Sequence, residues 1–326
     1  MVLKVMTWNV ENLFRPGGPS GPTSEASYQA KLAGLAATIN QQAPDLLAVQ
    51  EIGDPDALGD LVGLLDGAGQ WQQRVSDHPD ARGIRVAWLA RRPITAAADI
   101  VAFPAHLAPV QTNDQADDQA ATTATMGRGA VAVTVAADSG QVVQLVTAHL
   151  KSKLLTFPGG RFQPHDEDER ARFADYALYR RAAEAATLRV WATAALAPAS
   201  PPAGQQPALL VCGDLNDTVQ AATTQLLLGP PGSELGTAGF DRPDRGDQQR
   251  LWNLAPLMPD GKNYSRITQG RRELIDHLLV SAALVRRVVL VEAVIDQPLP
   301  SISTDPTSRH DQPSSDHAPV VATLDL

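Results

Sequence analysis

The stretch Ala208-Leu-Leu-Val-Cys-Gly-Asp-Leu-Asn-Asp217 decides the fold, because it joins a strand to a group of polar side chains. Its first six residues are apolar or small and predict a buried strand. Asp214 and Asn216 follow, and they would share one side of the chain if the backbone stayed extended. An Asx turn that leads into a helix would account for the same residues. Both interpretations can hold, with Asp217 capping a helix that runs to about Leu228.

Eight further runs are rich in apolar and β-branched residues, are flanked by turn residues, and predict strands. These runs are Leu3–Asn9, Asp45–Glu51, Gly83–Ala90, Ala130–Ala137, Val142–His149, Leu274–Ser281, Val288–Ile295 and Pro319–Leu324. Asp138-Ser-Gly separates two of them and predicts a hairpin turn, so those two strands should be antiparallel.

Helical patterns lie between several of the predicted strands. In Glu25–Gln42 the apolar residues recur on one face, and Pro44 ends the run. A second helix should begin with Asp54 as its N-cap, and a third covers roughly Glu167–Leu196. Many strands with interspersed helices predict an α/β (α+β) fold, in which helices cover two stacked mixed sheets. Because no shift in composition divides the chain, we expect one domain over residues 1–326.

Composition excludes several classes of protein. The chain has 326 residues, of which 44% are hydrophobic, so most of it should fold around a sizeable core. Its formal charge of −9 argues against a protein that coats nucleic acid through overall positive potential. An enzyme that binds phosphate at one local site remains compatible with that charge, since bound cations would reverse the local field.

Cys212 is the one cysteine, which rules out an internal disulfide and a cysteine metal cluster. The N-terminus lacks the pattern of a signal peptide, and no apolar run is long enough to span a bilayer. We therefore expect a cytoplasmic monomer, although a removed leader would leave no trace in this sequence.

Polar residues recur where predicted strands begin or end. Asn9 and Glu51 close the first two strands, and His149 ends the second strand of the hairpin. Asp276 lies in the strand Leu274–Ser281, and the pair Asp316-His317 precedes the last strand. Because the ends of many strands meet when sheets are stacked, we expect these side chains to converge with Asp214 and Asn216.

These motifs, in this order, resemble the endonuclease/exonuclease/phosphatase superfamily. They are Thr7-Trp8-Asn9-Val10, Gln50-Glu51, His149-Leu150-Lys151-Ser152, Gly213-Asp214-Leu215-Asn216-Asp217, Ile275-Asp276-His277 and Ser315-Asp316-His317-Ala318-Pro319. Each motif is short, but the ordered set covers roughly Lys4 to Leu326. The resemblance implies a four-layered α/β/β/α sandwich that hydrolyses phosphate esters, with the active site at one edge of the two sheets.

A divalent cation, Mg²⁺ or Mn²⁺, is the cofactor that this resemblance implies. Mg²⁺ prefers hard oxygen ligands and usually takes one or two carboxylates. Glu51 is the main expected ligand, and Asp316 is the second. Strand alternation would place Glu51 on the same face as Leu47 and Val49. An isolated Glu at this position would be an ordinary solvated strand end.

The resemblance also implies catalytic roles for Asn9, His149, Asp214, Asn216, Asp276 and His317. Asp214 and Asn216 would position the attacking water and contact the phosphate, and Asn9 would orient the cluster by hydrogen bonds. His317 would act either as a base or as a phosphate-stabilising cation, with Asp276 as its orienting partner.

His149 would be the second histidine over the phosphate, or else a structural residue at a strand end. His277 should point away from the site and be structural. Lys151 could touch phosphate or simply stay solvated, and Arg128 could also bind phosphate but is expected to pair with a carboxylate.

Three functions are weighed. A nuclease acting on DNA or RNA comes first, and a phosphoesterase for a small molecule or a lipid head group is the alternative. A non-catalytic binding module would lack at least one metal-binding or water-positioning residue, and none is missing. A serine or cysteine hydrolase is disfavoured, because no Gly-x-Ser-x-Gly motif occurs and Cys212 lies in an apolar strand.

Overall fold

The computed structural model describes residues 2–114, 122–197, 206–302 and 309–326. The α-helices within these ranges are α1 (Glu25–Gln42), α2 (Pro55–Gly63), α3 (Glu167–Leu196), α4 (Ala222–Leu228) and α5 (Ala282–Val285). The strands are β1 (Val2–Leu13), β2 (Leu46–Ile52), β3 (Gln72–Val75), β4 (Arg85–Ala90), β5 (Ile94–Ala102), β6 (Val110–Gln111), β7 (Thr122–Thr123), β8 (Thr125–Ala136), β9 (Val142–His149), β10 (Ala208–Asp214), β11 (Leu251–Asn253), β12 (Arg266–Thr268), β13 (Arg271–Glu273), β14 (Asp276–Ser281), β15 (Val288–Ala293), β16 (Ser301–Ile302) and β17 (Val320–Asp325).

Two six-stranded mixed sheets form the centre of the molecule. The strand order of the first sheet is β15-β17-β1-β2-β4-β3, and that of the second is β11-β14-β10-β9-β8-β5. The strands β1 and β2 run parallel, as do β9 and β10, while the other neighbours are antiparallel. The strands β8 and β9 form the predicted hairpin, whose turn contains Gly140.

Three apolar layers hold four layers of structure together. Between the sheets, Trp88 and Val5 of the first sheet pack in one cluster with Leu145 and Leu210 of the second. The first sheet packs against α1 and α2 on its outer face, and the second packs against α3 and α4 on its own. This arrangement confirms the predicted α/β/β/α sandwich.

The predicted helices α1, α2 and α3 have the expected bounds because their start and stop signals act locally. Ser24 caps α1 through its side chain, and Ala43 ends that helix in the left-handed conformation. Asp54 accepts a hydrogen bond from the backbone of Asp56 at the start of α2. None of the helices in the described ranges has the length and hydropathy that crossing a bilayer requires.

The prediction that Asp217 caps the next helix is wrong. The helix α4 begins at Ala222, after an N-cap residue, Ala221, that offers no side-chain bond. Instead, Asp217 Oδ2 accepts from Thr223 Oγ1 at 2.7 Å and lies 3.2 Å from Arg181 Nε. Because α3 brings a buried arginine to this point, Asp217 serves an ion pair between elements rather than a helix end.

The strand β5 and several short strands are absent from the predicted set. The sequence Ile94-Thr-Ala-Ala-Ala-Asp-Ile-Val-Ala102 is rich in alanine, and most of it is exposed or half-buried at the edge of the second sheet. Apolar and polar residues alternate only weakly in this alanine-rich sequence, so it gives little indication of a strand.

A polar bridge crosses the apolar layer between the sheets. Gln50 of β2 is fully buried, and its Nε2 donates to Thr7 Oγ1 at 3.1 Å and to Thr147 Oγ1 at 2.9 Å. Thr7 lies in β1 of the first sheet, whereas Thr147 lies in β9 of the second. This side chain therefore ties the two sheets together next to Glu51.

Candidate active site

One edge of the two sheets carries a cleft of about 490 Å³. The parallel strands β1 and β2 end there, as do β9 and β10, and the antiparallel partners β14 and β17 begin there. The sheet topology thus brings together side chains from distant parts of the sequence. The predicted site residues that line the cleft are Asn9, Glu51, His149, Asp214, Asn216, Asp316 and His317. Asp276 is fully buried and bonded to His317.

Asn9 connects two acidic side chains from different sheets. Its Nδ2 donates to Glu51 Oε1 at 3.2 Å and to Asp214 Oδ2 at 3.0 Å. Its Oδ1 accepts from the backbone of Glu11, which fixes the orientation of the amide. Asn9 is nearly buried, so this amide holds the two carboxylates at a set separation on the floor of the cleft.

A β-bulge turns Glu51 into the cleft. Gln50 pairs with Val86 and Ile52 pairs with Arg85, so Glu51 is one extra residue in β2, and its φ is 65°. The expectation that Glu51 faces the same way as Leu47 and Val49 is wrong, because those two pack in the helix-covered layer. Glu51 instead accepts from Asn9 and from the backbone of Asn12 at the cleft.

His317 and Asp276 form a close buried pair. Nδ1 of His317 lies 2.7 Å from Oδ2 of Asp276, and its Nε2 lies 3.9 Å from Oδ2 of Asp214. Burial alone would lower the pKa of His317, but Asp276 and Asp316 outweigh it and raise the pKa to about 10. At neutral pH the imidazole is therefore charged, with its Nε2 directed toward the cleft carboxylates.

Asp214 lies between two other site residues in the second sheet, opposite His149 on β9 and opposite Asp276 on β14. Burial raises the pKa of Asp214, and the negative charge of Asp276 raises it further. Its Oδ2 lies 3.3 Å from Nε2 of His149. Burial lowers the pKa of His149 well below its usual value, and nearby Arg128 adds to that effect. Asp214 thus faces one charged and one neutral imidazole.

The backbone turns sharply after Asp214, so the chain is not extended there. Asn216 has a φ of 53°, and its backbone N–H donates to Asp214 Oδ1 at 2.9 Å in an Asx turn. Its side-chain amide donates to the carbonyl of Leu150 at 3.0 Å. The backbone N–H of Asn216 therefore orients the carboxylate of Asp214, while the side chain of Asn216 borders the cleft.

The donor set at the cleft floor fits a divalent cation. Glu51 offers two carboxylate oxygens that each accept one hydrogen bond, and Oδ1 of Asn12 beside it is buried without a partner among the described residues. These are hard oxygen donors of the kind that Mg²⁺ and Mn²⁺ take. Asp316 faces Arg266, with Oδ2 of Asp316 3.2 Å from Nη2 of Arg266.

A second group of possible ligand atoms comes from Asp214, Asp276 and His317. One ligand atom from each of these residues lies within 4.8 Å of the other two. A protonated His317 has no free nitrogen lone pair, so only the two carboxylates of this group could then bind a cation.

Sequence reasoning missed Glu11, Arg266 and Arg309, which border the same cleft. Arg309 Nε donates to Glu11 Oε1 at 2.7 Å, and Glu11 Oε2 accepts from the backbone of Asp316 at 2.9 Å. Glu11 is two residues beyond Asn9, which is the one local signal that could have suggested it. These contacts hold the segment that carries Asp316 and His317 against β1.

His277, Lys151 and Arg128 lie near the centre but make other contacts. Nε2 of His277 lies 2.9 Å from the carbonyl of Asp217, in a fully buried position away from the cleft, as expected. Lys151 Nζ donates to the carbonyl of Leu154 at 2.8 Å rather than pointing into the cleft. Arg128 Nε donates to Asp80 at 3.1 Å, which confirms the expected carboxylate partner.

Several solved structures share this fold across nearly their whole length. The catalytic domain of human Nocturnin is 16% identical with a TM-score of 0.55, and the match covers 99% of this chain and 94% of that one. For the mannosyl-6-phosphatase of Bacteroides thetaiotaomicron the identity is 12%, the TM-score 0.57 and the coverage 99% and 100%. The 3′ phosphatase NExo from Neisseria, bound to a product DNA hairpin, is 17% identical with a TM-score of 0.55. That match covers 99% of this chain and 100% of the other. These likenesses support the fold.

The family follows from the sequence itself. No match was found among curated protein sequences. A family model described as "Endonuclease/Exonuclease/phosphatase family" matches residues 6–317, a range that includes every site residue described above. The chain therefore belongs to the endonuclease/exonuclease/phosphatase family, a family of phosphoesterases.

Proposed function

We propose that the chain is a divalent-metal-dependent phosphodiesterase that cleaves DNA or RNA strands. The proposal depends on one observation, the set of polar side chains around the carboxylate of Asp214. Asn9 donates to Asp214, and the Nε2 atoms of His149 and His317 lie 3.3 Å and 3.9 Å from the same oxygen, Oδ2 of Asp214. A carboxylate between a neutral and a charged imidazole suits the transfer of a proton from water beside a phosphate.

In this proposal Asp214 is the general base and His317 the electrostatic stabiliser. Asp214 takes a proton from the attacking water, whose oxygen then bonds to phosphorus as the ester P–O bond breaks, and the leaving oxygen takes a proton from solvent to become a hydroxyl group. A raised pKa suits the base to neutral pH, because general-base catalysis is most efficient when the pKa lies near the working pH, where the carboxylate is both a stronger base and still substantially deprotonated. His317, held charged by Asp276, meets the negative charge on the phosphoryl oxygens. Asn9 and Asn216 hold Asp214 in place.

Glu51 is the proposed principal ligand of the cation, and Asp316 the second. Members of the family depend on divalent metals. Bound at Glu51, a cation would neutralise phosphoryl charge and stabilise the leaving oxygen. The excess of carboxylates around the floor, with Asp276 Oδ1 lacking any described partner, is the charge pattern that such a cation would balance.

A nucleic-acid strand is the proposed substrate because cations surround the acidic floor. Arg82, Arg128, Lys153 and Arg170 line the cleft around its acidic centre, although each of them also pairs with a carboxylate of the protein and the chain as a whole carries −9. A nucleic-acid strand carries a phosphate at every nucleotide, so it could contact several of these cations at once. The neighbour from Neisseria, described as bound to a product DNA hairpin, agrees with this choice.

A phosphoesterase for a small substrate is the second candidate. The net acidity and the similarity of the fold to that of a mannosyl-6-phosphatase favour it. A nucleic acid differs from a sugar phosphate in the number of charges that contact the protein, so the salt dependence of binding should separate the two.

A metal-dependent assay tests the proposal. Plasmid DNA, abasic duplex DNA, single-stranded RNA and a small phosphodiester would be compared with Mg²⁺, with Mn²⁺ and with chelator. We expect strand cleavage that stops with chelator and that His317→Asn abolishes, while the exposed residue His106 tolerates the same change to Asn. Hydrolysis of small esters alone would overturn the nuclease proposal and support the second candidate.

A further inference from the structure

An apolar wall faces the charged floor of the cleft. It is formed by the segment that follows β9, and it includes Leu154, Leu155 and Phe162. Phe162 is 45% exposed and Leu154 is 40% exposed. Large apolar side chains on a surface loop cost solvation free energy unless something covers them. Because these side chains lie inside the cleft, they are available for contact with a bound substrate.

Phe162 is held by a well-tied loop. Phe157 is buried and stacks near Phe173, with ring centroids 5.0 Å apart, and its backbone N–H donates to the carbonyl of Arg161 at 2.9 Å. Arg161 Nη2 lies 2.8 Å from Oε1 of Glu169 in the first turn of α3. The residue before Phe162 is therefore fixed, and the ring of Phe162 is presented to the cleft from a defined point.

Charge complementarity decides which apolar group fits. Arg170, which pairs with Glu167, also lines the cleft with its side chain 48% exposed, and so does Lys153, which pairs with Asp217 and whose side chain is 52% exposed. An acyl chain would need a continuous apolar groove, whereas this wall is short and bordered by cations. A nucleobase presents a flat apolar face within a few bonds of a phosphate, which matches an aromatic ring beside charged groups.

We propose that Phe162 stacks on an unpaired nucleobase next to the scissile phosphate, so that the chain acts on single-stranded or frayed ends. This inference rests on the proposed nuclease function. In a duplex both faces of each base are covered by its neighbours, so stacking on a side chain requires a base that has left the stack. Phe162 is thus a residue that determines specificity and makes no contact with the reacting atoms.

Two matched oligonucleotides test this inference. One is a single-stranded 12-mer, and the other carries abasic spacers in place of its bases. For the natural chain we expect KM to be about tenfold lower on the strand with bases, since stacking contributes that order of affinity. Phe162→Ala should remove the difference and leave kcat on the abasic strand unchanged. Phe162→Trp should keep the difference in KM between the two strands. Leu226 is also 45% exposed but lies on α4, so Leu226→Ala should leave that difference as it is in the natural chain.

Three outcomes would overturn the inference. The first is a Phe162→Ala variant that still discriminates between the two strands. The second is a natural chain that cleaves duplex and single strand with equal kcat/KM. The third is a loss of activity in Phe162→Ala that is confined to phospholipid vesicles. If the natural chain cleaves no oligonucleotide at all, the proposed function itself has failed, and the Phe162 variants are then compared on the small diester.

Discussion

Nδ1 of His317 lies 2.7 Å from Oδ2 of Asp276, and the other ring nitrogen lies 3.9 Å from Oδ2 of Asp214. The imidazole therefore stands between a carboxylate that holds it charged and a carboxylate proposed as the base. Because Asp276 is fully buried, its charge acts on His317 with little screening by solvent. The proposed division of roles between His317 and Asp214 depends on this geometry.

Replacing Asp276 by Asn should lower kcat by about 100-fold or more. The amide keeps the shape of the side chain but removes the negative charge, so the pKa of His317 should fall and the imidazole should lose its charge near neutral pH. Histidine titration by NMR and turnover of a short oligonucleotide measure the two effects. A well-folded variant with natural kcat would remove Asp276 from the proposed mechanism.

Replacing Glu51 by Gln should weaken Mn²⁺ binding by at least tenfold, because the site loses its principal charged ligand. Titration calorimetry of the variant and the natural chain measures this effect independently of turnover. Glu25→Gln is the matched control, since Glu25 lies exposed in the first turn of α1. Equal affinity in all three proteins would show that the cation binds elsewhere.

Replacing Glu184 by Ala should destabilise the fold by about 1 kcal/mol, because it leaves two half-buried backbone donors unpaired. Glu184 is 1% exposed, and it accepts from the backbone of Gly127 at 2.9 Å and of Lys151 at 2.6 Å. Urea unfolding measures the change. Since these two backbones precede Arg128 and Ser152 in the cleft, a higher KM should accompany the lost stability. An unchanged urea midpoint would contradict the assigned contacts.

The free energy of unfolding should fall as the pH drops below 6.5, the ordinary pKa of histidine, in part through His277. Burial lowers the pKa of His277, so below that pH the unfolded chain binds a proton that the folded chain does not. Nδ1 of His277 also faces the side chain of Asn253 at 3.1 Å, a contact that needs an unprotonated nitrogen.

Urea unfolding of the natural chain and of His277→Gln between pH 5 and pH 8 tests this linkage. The variant should be less stable at neutral pH and should depend less on pH below 6.5. Parallel stability curves for the two proteins across that range would show that His277 contributes no proton linkage.

The residue types of the candidate site could be predicted from the sequence, but their orientation could not. Asn9, His149, Asp214 and His317 lie near strand ends, and the mixed topology carries all of those ends to one edge. Glu51 departs from strand alternation because a bulge with a φ of 65° rotates it. No periodicity in the sequence indicates that extra residue.

Contacts between distant segments were the other part that local patterns could not supply. Arg309 and Glu11 are 298 positions apart, and their pairing depends on the order of strands in the first sheet. Asp217 has the residue type of a helix cap, but the buried Arg181 recruits it instead. The expectations of one domain, a monomer and a cytoplasmic location stay predictions.

Gln50 has a mechanical consequence for catalysis. An apolar interface resists separation, but the hydrophobic effect is non-directional, so it fixes the sliding position of two sheets less strictly than hydrogen bonds do. The directional bonds from Gln50 to Thr7 and Thr147 supply stiffness against such shear. Glu51 belongs to one sheet and His149 to the other, so a slip of about 0.5 Å would misalign the two halves of the proposed reaction centre. We therefore expect the Gln50 amide to help hold the alignment on which the proposed reaction depends.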